Sequence, residues 1–184
     1  MMAILVATSI SAAATGRSKI NFNAGWRLAV GDVTEAAQPG FDDSRWQQVT
    51  LPYAFNGEEA FRKDIADLTD TIAWYRKTFV MDNRQWTMHH SKVFIEFEGV
   101  RQGADFYLNG HHLGYSENGV MACGFDLTPY IKEGENALAV RCDNSWTYRS
   151  RAYDSRYQWN DRNFNANYGG IPKNVWLHIT DRLY

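Results

Sequence analysis

Residues 97–126 read FEGVRQGADFYLNGHHLGYSENGVMACGFD, and this stretch decides the fold. Ala104, Phe106 and Leu108 alternate with Asp105, Tyr107 and Asn109, the period-2 pattern of a strand with one buried face. Asn109-Gly110 then supplies the two positive-φ residues of a type I′ turn. His112 to Tyr115 returns as the partner strand, where Gly114 permits a close backbone approach or a bulge. Glu98-Gly99-Val100 and Phe125-Asp126-Leu127 frame this hairpin, which is expected to be central to its sheet.

Working outward, the same alternation recurs in short runs. Ile20 to Leu28 reads as one strand with Ile20, Phe22 and Trp26 packing inward. Ala73 to Met81 is a strong strand, Val93, Ile95 and Phe97 resume the alternation, and Ala137 to Asp143 and Val175 to Ile179 follow. Phe41 to Trp46 reads as a single helical turn capped by Asp42 or Asp43, with Trp46 turned inward. Two long excursions, residues 53–70 and 144–168, have no clean period, and long loops within a compact domain are usually functional or disordered. Many short strands, turn signals and no βαβ alternation predict an all-β sandwich over residues 20–180.

The chain has 184 residues, enough for one well-buried domain. A net charge of -2 supplies no bulk attraction to nucleic acid or to an anionic membrane, and neither is expected as a partner. Residues 1–14, MMAILVATSISAAA, read as a truncated signal peptide: an apolar run ending in small residues, without the charged n-region. Export to the periplasm or the exterior is the expectation, with an N-terminal strand or arm as the other reading. Cys123 and Cys142 form no disulfide framework and are expected to be free thiols, a bridge between them being the alternative.

No nucleotide-binding, nucleophile-elbow or zinc-protease motif is present, and no cofactor is expected. His89-His90 and His111-His112 are adjacent pairs, whose side chains point to opposite faces of an extended chain, so neither chelates a metal alone. The chemistry that remains lies in the long excursions. Glu58, Glu59, Asp64, Asp67, Asp154 and Asp161 are read as hydrogen-bonding or solvated groups rather than a catalytic pair. Trp146, Tyr148, Tyr153, Tyr157 and Trp159 supply aromatic faces among Asp, Asn and Arg, which suits a sugar ring: its C–H face stacks and its rim takes hydrogen bonds. The same segment also reads as a packed lid.

Taken together, these pieces resemble the N-terminal sugar-binding jelly-roll domain (a galactose-binding-domain-like sandwich) of glycoside hydrolase family 2, the family of β-galactosidases, β-glucuronidases and β-mannosidases. The matching segments run in the family's order. They are FDDSRW (41–46), Leu51-Pro52, WYRKTF (74–79), FEGV (97–100), ADFYLNG (104–110), FDLT (125–128), GENALAV (134–140), Asp143-Asn144, Gly169-Gly170-Ile171 and Val175-Trp176-Leu177. The resemblance covers about residues 20–179. Tyr53 stands where the family usually has His, and Pro172-Lys173 where it has an aromatic residue and Arg.

The resemblance implies that an acidic or amide residue shortly before Gly-Ile reaches a sugar hydroxyl in the active site. Asp161, Asn163 and Asn165 are the candidates, with Trp159 as a stacking face and Asn56 as a contributor from the first excursion. It also implies a parent glycosidase whose two catalytic glutamates lie on a (β/α)8 barrel of about 250 residues. On this reading the chain is a piece of a longer enzyme: an accessory domain without catalytic residues, partnered by that barrel and by a β-glycoside. A stand-alone carbohydrate-binding module and a purely structural sandwich are the rival readings.

Overall fold

The computed structural model describes residues 17–58, 71–82, 91–117, 119, 121–145 and 168–181. Twelve strands are found among them: β1 (Ser18–Asn21), β2 (Trp26–Val30), β3 (Gln47–Val49), β4 (Tyr53–Ala54), β5 (Ile72–Met81), β6 (Ser91–Phe97), β7 (Gly103–Leu108), β8 (His111–Ser116), β9 (Cys123–Asp126), β10 (Gly134–Asp143), β11 (Gly170–Ile171) and β12 (Val175–Asp181). A six-stranded sheet runs β3-β2-β5-β10-β7-β8, a four-stranded sheet runs β1-β12-β6-β9, and β11 pairs with β4 alone. All of these pairings are antiparallel.

The alternation read from the sequence is the alternation of faces. Leu28, Tyr75, Met81, Phe106, Leu108, Leu138 and Val140 from the larger sheet meet Val93, Ile95, Phe97, Val175 and Leu177 from the smaller one. They form one buried core, which makes the molecule the expected β-sandwich. The Asn109-Gly110 turn has both φ angles positive, at 51° and 84°, as a type I′ hairpin requires. A β-carbon on Gly114 would stand 2.9 Å from the Phe125 ring, so the expected close approach is real, and a bulge lies opposite it at Phe106/Tyr107.

Three expectations are corrected. The hairpin is not central: β8 is the edge of the six-stranded sheet, and β5 and β10 hold the middle. Residues 20–28 are not one strand but two in different sheets, because the chain crosses the sandwich at 22–25. Buried Asn23 holds that crossing: its side chain accepts from Val175 N and donates to Asn174 Oδ1, and its carbonyl accepts from Leu51 N. Residues 41–46 form a β-turn instead of a helical turn. Trp46 N donates to Asp43 O at 2.9 Å, and Asp42 caps it through Ser44 N.

Asp43 has a different task, because Arg76 projects from the outer face of β5 and is almost completely buried. Its Nε donates to Asp43 Oδ2 at 2.9 Å, and its Nη1 donates to the carbonyls of Ala36 and Gln38. The 3₁₀ turn Thr34–Ala37 thereby closes over Trp74 and Ala139 as a small second core. Cys123 and Cys142 are both free thiols, as expected.

Candidate functional site

The two long excursions leave the sandwich at the same place. After the cis Leu51-Pro52 bond, β4 pairs with β11, putting Tyr53 opposite Ile171 and Ala54 opposite Gly170. Phe55 N donates to Gly169 O at 3.1 Å, and Gly169 N donates to the side-chain oxygen of Asn56 at 2.8 Å. Arg101 closes the third side, exchanging two backbone hydrogen bonds of 2.8 Å with Gly170. Segments about 70 and 115 residues apart in the chain are thus tied together by backbone hydrogen bonds, which satisfy the polar groups of the loop bases.

Tyr75 supports this junction from below. It rises from the central strand β5, is fully buried, and donates its hydroxyl to Tyr53 O at 2.9 Å among the backbone of Phe55 and Ile171. Burial drives its phenol well above the ordinary value, so it stays a neutral donor. Its hydroxyl occupies the space that a β-carbon on Gly170 would need, at a distance of 2.2 Å. The backbone of β11 therefore rests directly on a core tyrosine.

Around the junction lies an open cleft of about 280 Å³ lined by Pro52, Tyr53, Ala54, Gly57, Tyr168 and Pro172. Its walls are prolines, small residues and two tyrosine rings, surfaces suited to the C–H face of a saccharide. Gln47 Nε2 donates to the Tyr53 hydroxyl at 3.1 Å. Beside it, the Arg101 guanidinium lies 4.4 Å from the centroid of the Tyr168 ring.

Asn56 lies at this junction, buried, with its side-chain oxygen engaged by Gly169. Asp161, Asn163, Asn165 and Trp159 lie outside the described residues, as do Trp146, Tyr148, Tyr153 and Tyr157. The described part of their excursion starts at Asn144-Ser145 and returns at Tyr168, on the cleft wall. Arg101, Tyr168 and Tyr75 were missed as site residues. The first two have one legible signal, their places beside the framing Glu98-Gly99-Val100 and before Gly169-Gly170; Tyr75 looks like any core residue of a strand.

Glu98 of that frame has a structural task. It accepts from Trp176 Nε1 and Asn174 Nδ2, and these two bonds, in that order, hold its carboxyl below the ordinary range. A second hollow, of about 340 Å³, lies on the outer face of the six-stranded sheet beside Asp105, Glu117, Arg141 and Asp143. Arg141 there is bound by Asp32 through two bonds of 3.0 and 2.8 Å and by Asp143 at 3.2 Å. The Arg141 bond is the main reason that the Asp32 carboxyl is lowered. Among the described residues no group of three or more His, Cys, Asp or Glu is arranged to hold a metal ion.

Comparison with known proteins gives a consistent result. Residues 22–180 match the family model described as glycosyl hydrolases family 2, sugar binding domain. The chain is 36% identical to a β-glucuronidase of Formosa agariphila over 91% of this chain and 18% of the relative. It is equally 36% identical to a β-galactosidase of Bacteroides ovatus, over 98% of this chain and 20% of the relative. Among solved structures, a family 2 β-glucuronidase superposes with a TM-score of 0.76 at 34% identity, covering 92% of this chain and 18% of that one. The chain therefore spans about a fifth of the length of the curated relatives it matches.

Proposed function

Because the chain belongs to the sugar binding domain family of the family 2 glycosyl hydrolases, we propose that it serves as the accessory domain of an exported β-glycosidase of the β-galactosidase or β-glucuronidase kind. In this reading it holds no catalytic carboxylate. It supplies part of the rim of the substrate site, against a catalytic barrel that carries the two glutamates. The observation that carries the reading is the convergence of both excursions on one cleft, through the β4–β11 pairing and the Asn56–Gly169 bond. A rim built in this way holds the bases of the two excursions rigidly against one cleft.

The side chains assigned to sugar hydroxyls are Asp161, Asn163 and Asn165, with Trp159 as a stacking plane and Asn56 holding the base of their segment. The test is steady-state kinetics on the full-length protein with aryl β-galactoside and β-glucuronide substrates. Alanine at the residue that bonds a hydroxyl should lower kcat/KM by about tenfold to a hundredfold, the worth of one well-placed polar contact. Unchanged kinetics for all three single variants would leave the domain a structural role only.

A further inference from the structure

Two tyrosine rings line the open cleft, and one of them has its hydroxyl set by a neighbour. Tyr53 is half-buried, with its ring partly against the core and partly on the cleft wall. Its main chain is fixed twice over. Tyr75 donates to its carbonyl at 2.9 Å, and the β4–β11 pairing holds it opposite Ile171. A side chain ordered in advance loses little freedom when a ligand arrives.

The hydroxyl is ordered as well. Gln47 projects from the edge strand β3 and donates its Nε2 to Tyr53 Oη at 3.1 Å. A phenol has one proton to give and lone pairs with which to accept. The amide occupies an accepting side, so the proton is directed away from Gln47. Among the described residues no acceptor takes that proton. Gln47 stands outside the cleft lining and Tyr53 belongs to it, which leaves the proton for a group inside the cleft. The rest of the described lining is prolines, small residues and the Tyr168 ring, without a charged side chain. Such a wall suits a ligand with a C–H face and a neutral acceptor oxygen beside it, and a pyranose ring has both.

We propose that Tyr53, with its hydroxyl turned by Gln47, is a sugar-binding residue of this domain: its ring packs on a pyranose and its proton goes to an oxygen of that sugar. The assignment rests on the reading of this cleft as a sugar-facing rim. It makes Gln47 a positioning residue, which acts on the sugar only through Tyr53. Because the contact is neutral, it serves a galactoside and a glucuronide alike.

The test is steady-state kinetics of the full-length protein with aryl β-galactoside and β-glucuronide substrates, with the unfolding midpoint of each variant as a control. Tyr53→Phe keeps the ring and removes the proton. KM for whichever substrate is turned over should rise about threefold to tenfold, the worth of one neutral hydrogen bond, with kcat unchanged. Gln47→Glu, at an exposed position, separates a donor from an acceptor. A carboxylate accepts from the phenol and draws its proton out of the cleft, so this variant should match the KM of Tyr53→Phe. Gln47→Ala only frees the hydroxyl to rotate and should raise KM less. In the Tyr53→Phe background neither change at Gln47 should add anything.

An unchanged KM in Tyr53→Phe overturns the assignment. So does a parent-like KM in Gln47→Glu, since the hydroxyl would then accept from the sugar instead of donating to it. A rise from Gln47→Glu that persists without the Tyr53 hydroxyl overturns it too, because Gln47 would then act on the sugar directly. If Tyr53→Phe is silent while an Asp161, Asn163 or Asn165 variant is impaired, only the Tyr53 assignment falls and the rim stands. Parent-like kinetics in all of these variants overturn both.

Discussion

Replacing Gly170 by alanine probes the junction on which the cleft is built. Gly170 has φ +104°, a region in which a β-carbon costs about 1–2 kcal/mol. That carbon would also stand 2.2 Å from Tyr75 Oη and 2.9 Å from Tyr75 Cζ. Tyr75 has nowhere to go, being fully buried with its hydroxyl bonded to Tyr53 O. The overlap is relieved by lifting β11 off β4 and Arg101, or by pushing the phenol away from its carbonyl. Either route removes two or so hydrogen bonds of about 1 kcal/mol each. Gly170→Ala should therefore cost about 3–5 kcal/mol. Tyr75→Phe alone should cost about 1–2 kcal/mol, because it removes the hydroxyl and leaves a carbonyl unpaired. In the double variant the closest contact no longer exists, so the combined loss should fall short of the sum by about 1–2 kcal/mol. Urea unfolding followed by tryptophan fluorescence measures all four proteins. Strict additivity would refute the reasoning, since the glycine would then be required by its dihedral angle alone.

Arg76→Met leaves Asp43 and two inward-facing carbonyls without their donor and should cost about 3–5 kcal/mol in the same assay. Arg76→Lys should recover only part of that, because one ammonium does not span the three acceptors of a planar fork. Lys77 lies on the core side of β5, with its ammonium on Ala24 O and over the Phe22 ring, and burial pushes it down to about 8 from its ordinary value of 10.5. Below pH 8 both states hold the proton. Between pH 8 and 10.5 only the unfolded chain does, so stability should rise by about 2 kcal/mol across that window and level off above it. Lys77→Met should abolish this rise; a variant with the same rise as the parent would disprove the assignment to Lys77.

Legibility followed the physics of strands. Alternation along β7, β10 and β12 was readable because a buried face demands an apolar residue at every second position, whatever lies alongside. The neighbour of each strand was not, and so the hairpin of residues 103–116 was placed mid-sheet when it forms the edge. The break within residues 20–28 was hidden because Phe22 and Trp26 are both buried on either side of it, and a single strand accounts for them equally well. Asn23, which turns the chain there, does so through residues 151 and 152 positions away.

The candidate site divides in the same way. Its segments could be found in the sequence, since long aperiodic excursions stand out against short alternating strands, and the ordered motifs identified the family. Asn56 was named as a sugar contact, and the structure places its side chain on Gly169. The pairing of β4 with β11, the Tyr75 strut and the backbone bonds between Arg101 and Gly170 were beyond it. Strand faces, turns and family are local properties, written within a few residues by sterics and periodicity. Which loop bases meet depends on hydrogen bonds between groups about 70 to 115 residues apart. Those bonds exist only once the two sheets have packed.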